Sequence, residues 1–139
     1  MPAEVERIAP VMQRQSALKA VILVGGEGTR LRPLTYDTPK SMVPVLNRPF
    51  LEHTIAHLKK YQIKDIILAV NYRPETIQSY FGEGDNLSVK LIYSVEHTPL
   101  GTAGAVKNAE RYLDYTLAVL NGDIFSNLDM ADMLAFHRA

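Results

Sequence analysis

Cysteine is absent from this 139-residue chain. That excludes a disulfide framework, a thiolate metal site and a cysteine nucleophile. Net charge is missing as well: 15 basic residues balance 15 acidic ones, so the electrostatic footprint of a nucleic-acid binder is not there. Long apolar runs are missing too, and one such as Ala20 to Val24 is far too short to span a bilayer. The first residues carry Glu4 and Glu6 and no apolar h-region, which argues against a signal peptide and for a cytoplasmic setting.

What is present is the make-up of an ordinary globular domain, 47% apolar and 22% charged. The length allows one domain with one sizeable core. Met1 to Ala17 show no core pattern and read as an N-terminal tail, leaving residues 18–139 as the folded part. Within it, apolar runs alternate with amphipathic stretches. Ala20 to Val24, Asp65 to Val70, Val89 to Val95 and Thr116 to Leu120 read as buried strands, and Met42 to Val45 as a short extended piece. Helices are expected from Pro49 to about Tyr61, Pro74 to Phe81, Thr102 to Leu113, and Leu128 to Arg138 with Asn127 or Asp129 as cap. Such alternation predicts an α/β fold, a Rossmann-like doubly wound, mostly parallel sheet.

In sheets of this kind ligands bind beyond the carboxyl ends of the strands. The chemically suggestive residues gather there: the loop after Val24, Asn71, Glu96 to Gly101, and Asn121 to Asp123. The first strand stops at Gly25-Gly26-Glu27-Gly28, where missing Cβ atoms permit positive φ and close backbone approach. Amide N–H groups converging in such a turn suit phosphate oxygens, and Arg30 and Lys40 would add a fork and a mobile point charge. A plain tight turn flanked by two surface cations is the reading that three glycines alone favour. A Walker A loop is excluded because the chain has no Gly-Lys pair, and a dinucleotide fingerprint because Leu31 stands where its third glycine belongs.

Asp123 follows a buried strand directly, so it reads either as a magnesium ligand or as a cap of the next turn. Glu96 reads either as a base-contacting acceptor or as a solvated loop carboxylate. His53 and His57 have metal-ligand spacing on a helix, but Glu52 precedes the first histidine instead of following it, so a partly buried helix face accounts for them better. Glu83-Gly84-Asp85 reads as a turn.

The ordered series Gly25-Gly26-x-Gly28-Thr29-Arg30-Leu31-x-Pro33-Leu34-Thr35, then Pro39-Lys40-x-Met42-x-Pro44-Val45, resembles the signature of the sugar-1-phosphate nucleotidylyltransferases. Within that family it is most similar to mannose-1-phosphate guanylyltransferases. The resemblance implies that Gly25, Gly26, Gly28, Thr29 and Arg30 hold nucleotide phosphates and that Lys40 neutralises the reacting phosphate, making Arg30 and Lys40 the catalytic pair. It implies Mg²⁺ on Asp123, with Asn121 lining the same pocket. It assigns Glu96 to guanine, in a segment EHTPLGTAG that resembles the family's base-recognition loop. Leu23, Asn71, Gly101 and Thr102 complete the nucleotide-binding set.

The implied partners are a nucleoside triphosphate, GTP before UTP or dTTP, and a sugar 1-phosphate, mannose before glucose; neither a nucleic acid nor a membrane is expected. The family's catalytic domain is considerably longer, and the resemblance covers Lys19 to the C-terminus, its nucleotide-binding half. On that reading residues 18–139 are an incomplete nucleotidyltransferase domain, whose exposed sheet edge invites homo-oligomerisation. A catalytically silent nucleotide-binding or regulatory module of the same fold is the alternative.

Overall fold

The computed structural model describes residues 18–114 and 116–139, so the tail read at Met1 to Ala17 lies outside the described residues. In chain order the elements are β1 (Lys19–Val24), β2 (Pro44–Val45), β3 (Arg48–Pro49), α1 (Phe50–Lys60), β4 (Asp65–Val70), α2 (Pro74–Phe81), β5 (Lys90–Val95), α3 (Gly101–Asn108), β6 (Leu117–Asn121) and α4 (Met130–Arg138). Four of the strands form one sheet in the order β5-β4-β1-β6, with every neighbouring pair parallel. β2 and β3 make a small antiparallel hairpin, turned by Leu46 and Asn47 at positive φ.

Continuous apolar sequence is what a strand covered on both faces requires, and β1 and β4 meet that demand. Ala20, Val21 and Ile22 are fully buried, as are Leu68 and Val70. Side chains alternate between two cores. On one face Ala20, Ile22, Ile66, Leu68 and Val70 pack under Leu51, Ile55 and Leu58 of α1, Ile77 and Phe81 of α2, and Met130 and Leu134 of α4. On the other, Val21, Ile67 and Ala69 meet Ala105 of α3 and Ala109.

The two-sided cover follows from the strand order. Parallel crossovers are right-handed almost without exception. Passing from β1 to β4 to β5 moves steadily across the sheet, so α1 and α2 share a face. The β5-to-β6 connection travels back past β4 and β1, which sends α3 to the opposite face. Adjacent crossovers therefore diverge at β1, opening a crevice at its carboxyl end. The α/β doubly wound expectation is met.

Most boundaries shift by a residue or two, and two of the differences have a local cause. Lys40–Met42 is a 3-10 turn, which shortens the extended piece expected at Met42 to Val45. The helix expected over Thr102 to Leu113 ends at Asn108, and a 3-10 turn, Glu110–Tyr112, follows. There Ala109 N–H bonds the Val106 carbonyl and Tyr112 N–H the Ala109 carbonyl, an i to i+3 pattern. Over a single turn, 3-10 and α-helical apolar spacings are hard to separate, and the buried positions here are Ala105 and Ala109. Asp129 caps α4, its carboxylate accepting from Ala131 and Asp132 N–H at 2.9 and 3.0 Å. Among the described residues no helix is long and apolar enough to cross a membrane.

Leu68 sits fully buried at the middle of β4, paired with Ile22 on one side and Tyr93 on the other. Leu68→Ala is expected to lower stability by about 2–5 kcal/mol in urea unfolding. A loss below about 1 kcal/mol would contradict the central placement of β4.

Candidate functional site

A cavity of about 360 Å³ opens at the carboxyl end of the sheet, where the crossovers diverge. Its walls come from four places: Leu23 to Glu27 at the end of β1, Asn71 after β4, Glu96 and Pro99 to Thr102 leading into α3, and Asn121 to Asp123 at the end of β6. Lys40, Ser41, Ala69 and Ala105 complete it. The expected Leu23, Gly25, Gly26, Lys40, Asn71, Glu96, Gly101, Thr102, Asn121 and Asp123 are thus brought together around one space.

Gly28, Thr29 and Arg30 do not line that space. The glycine loop leaves the sheet with Gly26 at φ 102°, then folds back on itself at Gly28, φ 62°. A Cβ on Gly28 would lie 2.9 Å from Thr35 Cγ2 and 3.0 Å from Lys40 Cβ, so the outgoing and returning limbs touch there. Thr35, almost fully buried, locks the fold-back by donating its hydroxyl to the Gly28 carbonyl at 2.5 Å. Thr29 and Arg30 ride on the exposed 3-10 turn beyond it. Gly28 is a packing position that seats Lys40.

The returning limb is tied to the end of β4. Tyr72 donates its hydroxyl to the Tyr36 carbonyl at 3.1 Å, and Arg73 Nη2 donates to the same carbonyl at 3.3 Å. The bond from Arg73 to Tyr72 pushes the guanidinium pKa up from its ordinary value, with Asp37 and Glu75 adding to the effect. Arg32 reaches back to Glu27 at 3.4 Å and lies over the Tyr36 ring.

Across the cavity Lys40 Nζ stands 2.7 Å from Asp123 Oδ2, both side chains about two-fifths exposed. An ion pair that wet is worth no more than about 1 kcal/mol, so an incoming phosphate or cation can part it. Asp123 is placed there by β6, with Gly122 behind it. Gly122 N–H donates to the Leu23 carbonyl at 2.8 Å, and a Cβ at this position would come 2.9 Å from that oxygen. The far wall is drier. Glu96 is 7% exposed, its N–H bonded to the Val70 carbonyl and its Oε2 accepting from Leu100 N–H at 3.3 Å. One such bond leaves an ionised carboxylate with acceptor capacity to spare. Asn71 Nδ2 donates to the Glu96 carbonyl at 3.1 Å and steadies that wall. The cavity therefore joins a charged, wet pair to a buried carboxylate, with Gly101 and Ala105 also in its lining.

Sequence reasoning gave no role to Glu27, Ser41, Leu100 and Gly122, although Leu100 and Gly122 lie within stretches it placed at the strand ends. Gly122 carried a signal, since an Asn-Gly-Asp step after a buried strand marks a close backbone approach. Ser41 carried none. Its hydroxyl and that of Thr54 are buried without a hydrogen-bond partner among the described residues. His53 and His57 serve as struts: their Nε2 atoms donate to the Val45 and Leu128 carbonyls at 2.7 and 3.0 Å. Among the described residues no group of three or more histidine or acidic side chains could hold a metal. The donor set around Asp123, one carboxylate at the mouth of an anion-seeking loop, fits magnesium arriving with phosphate oxygens, which needs only one or two carboxylates.

Sheet order, glycine loop and the facing lysine and aspartate define an α/β domain with a strand-end cavity of a kind that suits phosphate-bearing ligands. Residues 19–139 match the nucleotidyl transferase family, and the chain belongs to that family. Over 121 residues it is 43% identical to the mannose-1-phosphate guanylyltransferase of Mycobacterium tuberculosis, covering 86% of this chain and 34% of the relative. It is 44% identical to the D-glycero-alpha-D-manno-heptose 1-phosphate guanylyltransferase of Campylobacter jejuni, over 84% of this chain and 52% of the relative. The crystal structure of HddC from Yersinia pseudotuberculosis complexed with GMP-PN superimposes with a TM-score of 0.77 at 34% identity, covering 86% of this chain and 53% of that one. The chain thus spans between a third and about half the length of the relatives it matches.

Gly122→Ala forces a methyl group onto the Leu23 carbonyl and is expected to lower stability by about 1–3 kcal/mol in thermal unfolding. An unchanged unfolding temperature would mean that β1 and the Asp123 turn are not held so close.

Proposed function

We propose that the chain supplies the nucleotide-binding part of a sugar-1-phosphate guanylyltransferase. In that reaction a phosphate oxygen of the sugar 1-phosphate attacks the α-phosphorus of GTP. The bond from that phosphorus to the β-phosphate oxygen breaks, giving an NDP-sugar and pyrophosphate. The observation that carries the reading is the division of one cavity between a Lys40–Asp123 end and a buried Glu96 end.

No covalent enzyme intermediate is required, so the chain's work is to position two anions and offset their charge. Lys40 is the cation for the crowded α-phosphate. The backbone of Gly25 and Gly26 borders the phosphates, and Arg30, on the outer turn, serves the part of the triphosphate that projects from the cavity. Magnesium, held by Asp123 and phosphate oxygens, would neutralise charge that develops on the pyrophosphate. At the far end the Glu96 carboxylate accepts from the N1–H and exocyclic amine of guanine, a donor pair that uracil and thymine lack. Relatives named for GTP-dependent transfer to mannose and manno-heptose 1-phosphates support guanine and a manno-configured acceptor, mannose 1-phosphate first.

Calorimetric titration with GTP, UTP and dTTP, each with Mg²⁺, tests this. GTP is expected to bind at least roughly tenfold more tightly than the other two, Glu96→Gln to erode that preference, and Asp123→Ala to weaken binding of the magnesium complex. Equal affinity for all three nucleotides would overturn the guanine assignment. In a turnover assay Lys40→Ala is expected to slow pyrophosphate release by a larger factor than it weakens GTP binding. Equal losses in the two would reduce Lys40 to a binding residue.

A further inference from the structure

Arg73 lies outside the cavity, yet it holds a conformation that an L side chain rarely adopts, φ 46° and ψ 55°. Such backbone persists where surrounding contacts over-determine it. Here they do. Arg73 Nε donates to the Tyr72 hydroxyl at 3.1 Å, and Nη2 donates to the Tyr36 carbonyl at 3.3 Å and to Asp37 Oδ1 at 3.5 Å. The Tyr72 hydroxyl donates a hydrogen bond to the same Tyr36 carbonyl at 3.1 Å. One carbonyl of the phosphate loop is therefore gripped by two consecutive side chains. The Asp37 arm is the weak one, since that carboxylate is 93% exposed. The Tyr36 carbonyl is the anchor.

Tyr36 sits next to Thr35, whose hydroxyl closes the loop on Gly28, and Gly28 packs against Lys40. Meanwhile Asn71, one residue before Tyr72, donates to the Glu96 carbonyl on the opposite wall. Three consecutive residues after β4 thus reach the Glu96 wall of the cavity and the loop limb that leads to Lys40.

We infer that Arg73, together with Tyr72, is a positioning residue that sets the phosphate loop, and through it Lys40, at a fixed spacing from the Glu96 wall. The inference rests on the nucleotide reading above for its functional meaning, but the bracket itself is a property of the free chain. Its effect falls on the phosphate end. Guanine contacts at Glu96 are held independently by Asn71 and by the Leu100 N–H.

Arg73→Asn removes the grip while keeping a residue that tolerates the left-handed conformation. Tyr72→Phe removes only the hydroxyl, and Arg73→Lys keeps the charge without the fork. Amide hydrogen exchange of Thr35 to Lys40 is measured in the nucleotide-free chain, and affinity is measured for GTP and for guanosine. Arg73→Asn is expected to speed exchange across Thr35 to Lys40 with β1 and β4 still protected, and to weaken GTP roughly tenfold, the worth of one charge-assisted hydrogen bond. Guanosine affinity is expected to stay within about twofold. Tyr72→Phe gives a smaller change in the same direction, and Arg73→Lys does not restore the native values. Unchanged exchange overturns the inference, as does an equal loss of GTP and guanosine affinity, which would signal general destabilisation. A native chain that binds no GTP defeats the nucleotide reading instead, and the exchange experiment still decides the bracket.

Discussion

Everything at the carboxyl end of the sheet depends on β6 pairing with β1 in parallel on the side away from β4. A parallel neighbour cannot arrive by a hairpin, so the chain has to cross over and approach in the same direction. Crossing back from β5 puts α3 on the face opposite α1 and α2, and two loops that would otherwise lie far apart end beside the same strand tip. The Gly25 loop leaves that tip directly. Gly122 presses its backbone onto the last turn of it, at a separation only glycine permits. The meeting of Lys40 with Asp123, 83 positions apart in the chain, is a consequence of that register.

The cavity so formed is buried at one end and solvent-exposed at the other. Glu96 is buried and held through both its backbone and its carboxylate, which suits recognition of a flat, hydrogen-bonding group. Lys40 and Asp123 are wet, and their attraction is too weak to keep a polyanion or a divalent cation out. On the proposed reading, a site for two negatively charged reactants would profit from that contrast, because charged groups would reorganise around phosphates while the recognition wall stays in place. The bracket after β4 joins the two ends mechanically without entering the cavity.

The sheet was readable from the chain because buried parallel strands are continuous apolar runs, here bounded by Gly25, Asn71, Glu96 and Asn121. Those same bounding residues are the cavity walls, so most of the site came with the strands. The end of α3 was not readable, since one turn of 3-10 helix leaves Ala109 in step with an α-helical stripe. The outward course of Gly28 to Arg30 was not readable either: a signature treats the glycine loop as one unit, whereas the fold-back at Gly28 depends on Thr35. Least legible was the grip on Tyr36, which uses a main-chain carbonyl that every residue possesses and lies 36 and 37 positions from its donors. Contacts of that kind leave no trace in residue types.

The central claim is that nucleotide binds where the strand ends converge. Amide NMR of the ¹⁵N-labelled chain titrated with GTP and Mg²⁺ tests it most directly. The account predicts shifts confined to Gly25 to Arg30, Lys40 to Ser41, Asn71, Glu96 to Ala105 and Asn121 to Asp123, with the opposite sheet end around Lys64, Lys90 and Asp114 unchanged. Shifts centred on that opposite end, or a folded chain with no shifts at saturating nucleotide, would contradict it.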